Sequence, residues 1–382
     1  MYTDIICPPI HIKKAESFVY RSPIKDPVQT SFGIMYDRPA VAIRIEDSEG
    51  AVGWGEIWCN FPGVGAEHRA RLFDSVVAPI LLEQIWASPT AAFQELTKRL
   101  HILGIQCGEP GTIAQAIAGA DIAMWDLLGR KVAKPLWEIF GGTPLIETYA
   151  SGISPTNPEK IAETKWAEGF RAFKLKVGFG RDRDFSNLQS LRNMLGPNTK
   201  IMIDANQAWT TETAASHIEH LAPLNPFWME EPIAADCDVN DWQILAANSS
   251  VPLAAGENMR GEAQFDEAIQ SKAFGVIQPD IGKWGGFSGC VPVAKAVCAS
   301  NQLFCPHWLG GGIGLVASMH LKAAVGQPGF VEVDSNPNFL REAMAMPYPV
   351  VSNGKVLLSN EPGLGIAPDM NHLIDLQVKH YF

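Results

Sequence analysis

The sequence has 382 residues, of which 47% are apolar and 19% are charged, and its formal net charge is −11. This composition predicts a globular chain long enough for two domains and a large core, and it excludes extended disorder. The acidic balance, without a basic stripe along the chain, argues against a nucleic-acid partner.

The cysteines predict a reducing compartment. No Cys-x-x-Cys pair occurs, and the seven residues are scattered at Cys7, Cys59, Cys107, Cys237, Cys290, Cys298 and Cys305. We therefore expect free thiols and a cytoplasmic location. Residues 1–4 show neither the basic region nor the continuous apolar core of a signal peptide. No apolar run reaches the roughly 18 residues of a membrane helix, so we expect no membrane partner.

The first 57 residues favour β-strands. The clearest hairpin joins Ala40–Ile45 to Ala51–Ile57 through the turn sequence Asp47-Ser48-Glu49-Gly50. Two neighbouring segments, about 21–38 and 59–67, contain prolines and glycines and are predicted to be irregular. Long irregular segments in a compact domain are often functional, so we expect these two to act as lids.

Helical periodicity follows the hairpin. Apolar residues recur at helical spacing over Arg69–Glu83, Ala91–His101 and Ile113–Lys131, and a short helix is predicted near Lys134–Phe140. Asp121 and Asp126 lie within the third segment and are interpreted as structural. Gly141-Gly142 ends the last helix, which predicts an α+β domain over residues 1–142.

From residue 143 the pattern becomes a regular alternation of strands and helices. The predicted strand ends are separated by 25, 28, 26, 27, 23, 27 and 25 residues, and they fall at Ser151, Lys176, Asp204, Glu230, Glu257, Asp280, His307 and Glu332. One strand, one helix and two loops fit this period. The spacing predicts an α/β fold with a TIM-type (β/α)7β barrel over residues 143–354. The tail, residues 355–382, is too short for another unit, so we expect it to complete the N-terminal domain.

An open doubly wound sheet also alternates strands and helices. Such a sheet gathers its functional residues near one switch point, whereas here polar residues end every strand. No Gly-x-Gly-x-x-Gly follows a first strand either. The barrel is therefore the favoured architecture.

Three acids end consecutive predicted strands: Asp204, Glu230 and Glu257. At one mouth of a barrel they would repel one another unless a proton or a cation intervened. Magnesium prefers about six oxygen ligands, and no histidine or cysteine adjoins these acids, so magnesium is favoured over zinc. The alternative is three loop-start acids that stabilise helix N-termini.

Lys174 and Lys176 are two residues apart on one strand and so point in the same direction. Near a metal, the like charge and the loss of solvent are expected to lower a lysine pKa towards that of a usable base. The alternative is a solvent-facing pair on an exposed strand.

Asp280 and His307 end the sixth and seventh predicted strands, where a carboxylate could orient an imidazole. Glu332 on the eighth strand could reach a substrate oxygen if protonated, or could form a salt bridge. With Lys174 and the metal near developing negative charge, Lys176 would face one side of a substrate and His307 the other. This set predicts removal of the proton alpha to a carboxylate, followed by reprotonation or loss of a beta leaving group.

The motifs at these strand ends extend beyond single residues. They are Phe173-Lys174-Leu175-Lys176-Val177-Gly178, Asp204-Ala205-Asn206-Gln207, Trp228-Met229-Glu230-Glu231-Pro232, Gly256-Glu257-Asn258, Gln278-Pro279-Asp280-Ile281-Gly282-Lys283-Trp284-Gly285-Gly286, Pro306-His307 and Val331-Glu332-Val333. Together with Ile122-Ala123-Met124-Trp125-Asp126, they resemble the mandelate racemase subgroup of the enolase superfamily, which includes muconate-lactonising enzymes. The resemblance covers essentially the whole chain.

The resemblance implies one Mg²⁺ per subunit on Asp204, Glu230 and Glu257. It implies that Lys176 and the His307–Asp280 dyad are the two acid/base groups, and that Lys174 and Glu332 contact substrate oxygens. Asn206 and Trp308 are further candidate substrate contacts. Related enzymes use a lysine on the second face, but Lys283 is interpreted as a turn residue.

The resemblance favours a sugar acid, aldonate or aldarate, as the substrate and dehydration as the reaction. Racemisation, epimerisation and sugar-lactone cycloisomerisation share the same enolate step and remain alternatives. We expect the loop Gly310–Gly314 to be small and flexible, with room for a polyol chain. The segments 21–38 and 59–67 are expected to set specificity, and the family suggests a homo-oligomer.

Two other classes of protein stay open at this point. A barrel aldolase would use Lys176 to form a Schiff base with a carbonyl substrate. A non-catalytic barrel would only bind a metal or a metabolite.

Overall fold

A computed structural model of the protein describes residues 7–30, 33–326 and 328–379. Three parts of the sequence predictions therefore lie outside the described residues. They are the N-terminal segment 1–6, the tip of the first predicted lid at 31–32, and the end of the tail at 380–382.

The N-terminal sheet is antiparallel, with the strand order β3-β2-β1-β4. Its strands are β1 (Ile10–Gln29), β2 (Ile34–Asp47), β3 (Val52–Ile57) and β4 (Ile85–Trp86). The predicted hairpin is confirmed as β2–β3, with Val41 opposite Ile57. Asp47 shapes its turn because Oδ1 accepts the backbone N–H groups of Glu49 and Ala51, each at 2.9 Å.

The prediction of an irregular segment over 21–38 is wrong for most of its length. Strands β1 and β2 continue through it as a long hairpin, and Pro23 lies opposite Asp37. The register shifts between Pro23 and Val28, which accommodates the second proline, Pro27. Prolines are tolerated there because β1 pairs with β4 only at Ile10 and His11, so its other edge needs no donor. The second predicted lid is irregular until α1 begins at Gly65.

The helices of the N-terminal part are α1 (Gly65–Leu72), α2 (Ala78–Leu82), α3 (Pro89–Gln106), α4 (Pro110–Lys131) and α5 (Leu136–Ile139). A π-helical turn, Phe73–Val77, joins α1 to α2. Asp126 on α4 has a structural role because it accepts the N–H groups of Trp54 and Leu364 at 2.8 and 2.7 Å. Among the residues described, no helix is both long enough and apolar enough to cross a membrane.

Eight parallel strands form the predicted barrel, in which β12 lies beside β5 and the sheet is nearly closed. They are β5 (Leu145–Ile153), β6 (Ala172–Lys176), β7 (Lys200–Asp204), β8 (Met229–Glu230), β9 (Leu253–Ala255), β10 (Val276–Ile277), β11 (Leu303–Phe304) and β12 (Phe330–Asp334). Intervening helices are α6 (Pro158–Ala167), α7 (Arg181–Leu195), α8 (Thr211–Leu221), α9 (Val239–Ala247), α10 (Glu262–Ser271), α11 (Gly286–Ala299) and α12 (Gly312–Ala323), and α13 (Phe339–Ala343) follows β12.

Several of the predicted strand ends are displaced by two or three residues. Glu332 lies in the middle of β12, two residues before Asp334 at its end. Asp280 and His307 lie three residues beyond β10 and β11, where they still pair through an isolated parallel bridge. These displacements keep the side chains near the C-terminal ends of the strands, which we call the mouth of the barrel.

Aromatic and sulfur-containing side chains fill the opposite half of the barrel. The ring of Tyr149 meets the rings of Trp228 and Phe330 edge-on, with centroid distances of 5.6 and 6.5 Å. Met202 and Cys305 are buried in the same cluster. Since this half is packed and apolar, the polar side chains of the barrel interior are concentrated towards the mouth.

The tail contacts both parts of the protein. Strand β13 (Lys355–Leu357) pairs antiparallel with β5 of the barrel. Further on, Gly363 bridges to Pro135, and helix α14 (Met370–Leu373) precedes a bridge between Gln377 and Tyr20 of β1. The tail therefore runs from the barrel to the N-terminal sheet.

His320 on α12 predicts a pH dependence of stability. It is buried; its Nδ1 accepts the N–H of Trp137 at 3.0 Å, and its Nε2–H donates to the carbonyl of Leu364 at 3.2 Å. Burial lowers its pKa from 6.5 to about 4. A depressed histidine pKa stabilises the fold above pH 6.5, and this stabilisation is lost as the pH falls towards 4, because the unfolded chain binds the proton first.

We expect this group to make the free energy of unfolding fall by about 3 kcal/mol between pH 6.5 and pH 4. Urea denaturation at a series of pH values should show that His320→Asn, which can keep one donor and one acceptor, removes this part of the slope. An unchanged slope in the variant would show that His320 is not the titrating group.

Candidate active site

The strand register places lysines and acids next to one another at the mouth. Lys176 of β6 lies opposite Asp204 of β7, and Asp204 lies opposite Glu230 of β8. Lys174 and Lys176 alternate along the chain with Phe173, Leu175 and Val177. Because successive side chains of a strand point to opposite sides, both lysines point to the interior of the barrel.

Lys174 is completely buried and lies among three carboxylates. Its Nζ donates to Oε1 of Glu230, is 2.8 Å from Oε1 of Glu332 and is 3.7 Å from Oδ2 of Asp204. Burial opposes the charge, but Glu230 and Glu332 outweigh it, so the pKa of Lys174 is raised well above its usual range. The residue is therefore a positive charge held in place by carboxylates.

Lys176 faces the cavity above the mouth. Its Nζ is 2.5 Å from Oδ2 of Asp204 and 2.7 Å from Oδ1 of Asn206. The expectation of a lowered lysine pKa is not met: burial lowers it, but the charge of Asp204 outweighs burial, and the pKa of Lys176 is raised. Sequence spacing alone could not predict the direction of this pKa shift, because the shift depends on the contact between Lys176 and Asp204.

His307 and Asp280 form the predicted hydrogen-bonded pair, with 2.7 Å between His307 Nδ1 and Asp280 Oδ2. Nε2 of His307 is also 2.7 Å from Oε2 of Glu257. Because carboxylates accept at both nitrogens, the arrangement favours the doubly protonated ring. Burial alone would lower the pKa of His307, but Glu257 and Glu332 raise it well above its ordinary value.

The three predicted metal ligands share the mouth, but each contacts a cationic side chain. Asp204 contacts Lys176, Glu230 contacts Lys174, and Glu257 contacts both His307 and Lys283. Within residues 7–30, 33–326 and 328–379, no three His, Cys, Asp or Glu side chains are arranged as a group that could hold a metal ion. The predicted three-carboxylate cluster is therefore not preformed, because ammonium and imidazole groups satisfy its members separately.

The charges at the mouth nevertheless match a divalent cation. Six acids lie there: Asp204, Glu230, Glu231, Glu257, Asp280 and Glu332. Three ammonium groups and one imidazole oppose them: Lys174, Lys176, Lys283 and His307. The carboxyl groups outnumber the cationic groups by two. Burial and the charge of Glu257 raise the pKa of Glu231 well above its usual range, so protons or a bound cation must offset the extra carboxyl groups. Burial and the charge of Asp204 contribute to raising the pKa of Glu230 to about 7. The all-oxygen donor set suits a hard ion such as Mg²⁺.

A cavity of about 770 Å³ lies above the mouth. Lys176, Asn206, Glu257 and His307 line its floor. Both segments predicted as lids contribute to its walls, through Gln29 and Thr30 from the first, and Phe61 from the second together with the adjoining Trp58. The cavity therefore brings the two candidate acid/base residues together in one space.

Trp308 and the glycine loop differ from their predictions. Trp308 does not line the cavity; its buried indole packs against Gly282, Gly310 and Gly314, where a Cβ atom would clash with the ring. The loop Gly310–Gly314 is itself buried and so does not provide room for a polyol chain. Its glycines permit a close approach of Trp308 and neighbouring elements rather than flexibility.

The sequence favours Lys283 as a turn residue, and the structure shows that its side chain also lines the cavity. Its Nζ is 3.0 Å from Oε2 of Glu257 and lies 4.6 Å from the centre of the Trp58 ring. Glu257 Oε2 also contacts Nε2 of His307. The ammonium group of Lys283 therefore lies on the same side of the cavity as His307, where it can donate to a substrate oxygen. The sequence signal for this role is the position of Lys283, three residues after Asp280 on the turn that follows β10.

Glu230 also has two neutral partners that the sequence predictions missed. Its Oε2 accepts from Gln278 Nε2 at 2.7 Å and from Trp228 Nε1 at 3.1 Å. These bonds fix one carboxylate oxygen while Lys174 holds the other. Supporting hydrogen bonds of this kind orient metal-binding carboxylates.

Two family models match the chain. Residues 14–141 match the mandelate racemase / muconate lactonizing enzyme N-terminal domain, and residues 159–372 match the enolase C-terminal domain-like model. The first match covers the N-terminal sheet and helices, and the second covers most of the barrel and part of the tail.

Two curated relatives act on sugar acids. The chain is 32% identical to the 3,6-anhydro-alpha-L-galactonate cycloisomerase of Streptomyces coelicolor, over 96% of this chain and 99% of the relative. It is 27% identical to the arabinonate dehydratase of Saccharolobus solfataricus, over 85% and 87% of the two chains.

Two solved structures resemble the whole molecule. A mandelate racemase/muconate lactonizing enzyme from Bordetella bronchiseptica is 47% identical, with a TM-score of 0.91 and coverage of 97% of this chain and 100% of that one. A racemase from Streptomyces coelicolor, solved with bound magnesium, is 30% identical, with a TM-score of 0.87 and coverage of 96% and 100%.

Proposed function

We propose that this chain, which belongs to the mandelate racemase/muconate lactonizing enzyme family of the enolase superfamily, removes the proton alpha to a substrate carboxylate to give a stabilised enolate. Members of this family are enzymes of the lyase or isomerase type. The observation that carries the proposal is one cavity lined by both Lys176 and His307. Lys176 lies on β6, and His307 lies on the turn after β11. Because β6 and β11 are not adjacent in the sheet, a substrate between the two side chains can exchange protons on two faces.

We assign the residues at the mouth as follows. Lys176 is one acid/base group, and His307 is the other, with its ring held by Asp280. Lys174 and Glu332, which are 2.8 Å apart, are buried and do not line the cavity, so we assign Lys174 as a positive charge that acts on the substrate carboxylate without direct contact in this arrangement. Asn206 and Lys283 line the cavity and can donate to further oxygens.

We propose that Asp204, Glu230 and Glu257 hold Mg²⁺. The surplus of acid at the mouth and the oxygen-only donor set support this, as does the magnesium in a relative of 30% identity. When bound, the ion supplies positive charge that stabilises the enolate oxygens. Since the three carboxylates contact Lys176, Lys174, His307 and Lys283, binding requires some of these contacts to be exchanged.

A sugar acid is the proposed substrate and dehydration the proposed reaction, because the cavity floor is polar and charged and a relative is an arabinonate dehydratase. Cycloisomerisation is the second candidate, favoured by 32% identity to an anhydrogalactonate cycloisomerase over nearly the full length of both chains. Both reactions begin by removing the alpha proton, so the same residues serve either outcome.

The test is incubation with Mg²⁺ and a panel of aldonic, aldaric and 3,6-anhydro sugar acids in deuterium oxide. We expect a 2-keto acid from a dehydration substrate, deuterium at the alpha carbon, and loss of both signals with EDTA. Trapping of substrate on Lys176 by borohydride, with activity that ignores EDTA, would instead identify a Schiff-base aldolase. Turnover of only a non-sugar carboxylate would reject the substrate class.

The domain division also remains a proposal: a capping domain of residues 1–142, a barrel of residues 143–354 and a tail of residues 355–382 that returns to the cap. The backbone bond from Val378 N–H to the carbonyl of Val19 and the bridge from Gly363 to Pro135 support the last part. A homo-oligomer and a cytoplasmic location remain predictions.

A further inference from the structure

Glu56 is a buried acid of the N-terminal sheet whose side chain reaches the barrel. It lies near the end of β3 and is only 1% exposed. Its Oε1 accepts the N–H of Gly311, and its Oε2 accepts the N–H of Gly314 at 2.9 Å. No ion pair to Glu56 occurs among the described side chains. Backbone donors of another part of the protein are therefore its direct partners.

These contacts cap the start of helix α12. The N-cap residue of this helix is Gly311, which has no side chain to accept from the first turn. Glu56 supplies the missing acceptor from the other domain, and its charge is favourable at a helix N-terminus. A Cβ atom on Gly311 would meet the Glu56 carboxylate at 2.6 Å, so the glycine is what permits the contact.

The segment held by Glu56 adjoins His307. Trp308, the next residue, donates its ring N–H to the carbonyl of Gly311 at 2.9 Å and its backbone N–H to Oε2 of Glu332 at 3.2 Å. Asn60, from the second lid, donates to the carbonyl of Leu309 at 2.7 Å. The segment between His307 and α12 is therefore held by Glu332 of the mouth at its start, and by Asn60 and Glu56 of the capping domain further along.

We propose that Glu56 is a positioning residue, which acts through Gly311 and Trp308 to hold His307 in the orientation that faces the substrate. This inference rests on the proposed function. It extends that function by making one of the two acid/base residues, and not the other, depend on the capping domain. Lys176 lies on β6, where the ladder to β7 fixes its backbone independently of Glu56.

The test is Glu56→Gln, which keeps the shape but presents an N–H₂ group to one of the two backbone N–H donors. Measurements are made at pH 8.5, because burial raises the pKa of Glu56 to about 7 and the carboxylate is then ionised. We expect alpha-deuterium exchange on the His307 face to fall roughly 10- to 100-fold, since small displacements of a catalytic group have effects of this size. Exchange on the Lys176 face should change less than about 3-fold.

Asp126→Asn is the matched control. Asp126 is also a buried acid of the capping domain that accepts two backbone N–H groups, but these come from Trp54 and Leu364, and it also accepts from Arg130 of its own helix at 3.0 Å. We expect this variant to lower the melting temperature without changing the ratio of exchange on the two faces. An equal loss on both faces in Glu56→Gln, or an unchanged ratio, would overturn the proposal.

A second readout separates this inference from the proposed function. The proton resonance of the His307 Nδ1–H, which bonds to Asp280, is observable by NMR without turnover and is assigned with His307→Asn. We expect Glu56→Gln to shift or broaden it and Asp126→Asn to leave it in place. A wild-type protein that exchanges no substrate proton would refute the proposed function, and an unchanged resonance in Glu56→Gln would refute the role of Glu56.

Discussion

Replacing Lys176 with alanine is expected to abolish alpha-proton exchange on one face of the substrate, and His307→Asn is expected to abolish it on the other. Each loss should be roughly 10²- to 10⁴-fold, the contribution of one positioned acid/base group. The physical reason is that both side chains line the same cavity, and each is held by its own carboxylate, Lys176 by Asp204 and His307 by Asp280. Exchange of each alpha-epimer of the substrate, followed by NMR in deuterium oxide, measures the two faces separately.

Exposed Lys160 on α6 offers the matched control for the lysine variant. Lys160→Ala should leave both exchange rates unchanged. Circular dichroism and melting curves must show that each variant is folded, because Lys176 also satisfies the buried carboxylate of Asp204. Full activity in both the Lys176 and His307 variants would mean that the bases are assigned wrongly.

Asp204→Asn is expected to weaken Mg²⁺ binding by roughly 100-fold or more and to reduce turnover in proportion. Asp204 lies at the centre of the proposed donor set: it is opposite Glu230 in the strand register, and the charge of Glu257 acts on it. Replacing one charged ligand removes both a donor oxygen and attraction for a hard cation. Isothermal titration with MgCl₂ measures the affinity, and titration of EDTA-treated enzyme with Mg²⁺ measures the recovery of activity.

Asp121→Asn is the control for this variant. Asp121 is also a buried acid, but it lies on α4 of the capping domain and accepts from Ser288. We expect Asp121→Asn to bind Mg²⁺ as the wild type does. If Asp204→Asn retained the affinity of the wild type, Asp204 would not be a ligand, and the contact with Lys176 would be its principal role.

The barrel was predictable because its signal is local and repeated. Short apolar runs recur at nearly constant spacing along the chain, and a polar or charged residue ends most of them. The long hairpin of β1 and β2 was missed for the opposite reason. Pro23 and Pro27 indicate irregular structure locally, but β1 pairs on one side only at these positions, so the strand tolerates them.

The candidate site was predictable as a set of residues but not as a set of contacts. Polar residues at successive strand ends placed Lys176, Asp204 and His307 at one mouth. Their spacing could not show that Asp204 raises the pKa of Lys176, because this depends on a side-chain distance of 2.5 Å. Nor could it show that Lys283 turns into the cavity rather than into solvent.

By itself, the sequence determined the strand–helix period, the ring of charged residues at the mouth and the family resemblance, since each is written in short stretches of neighbouring residues. Only the tertiary structure decided which cation contacts each carboxylate and how the capping domain holds the segment after His307. The bond from the N–H of Gly314 to the carboxylate of Glu56 joins residues 258 positions apart. Such a contact carries no local signature, because the packing of the two parts against each other creates it.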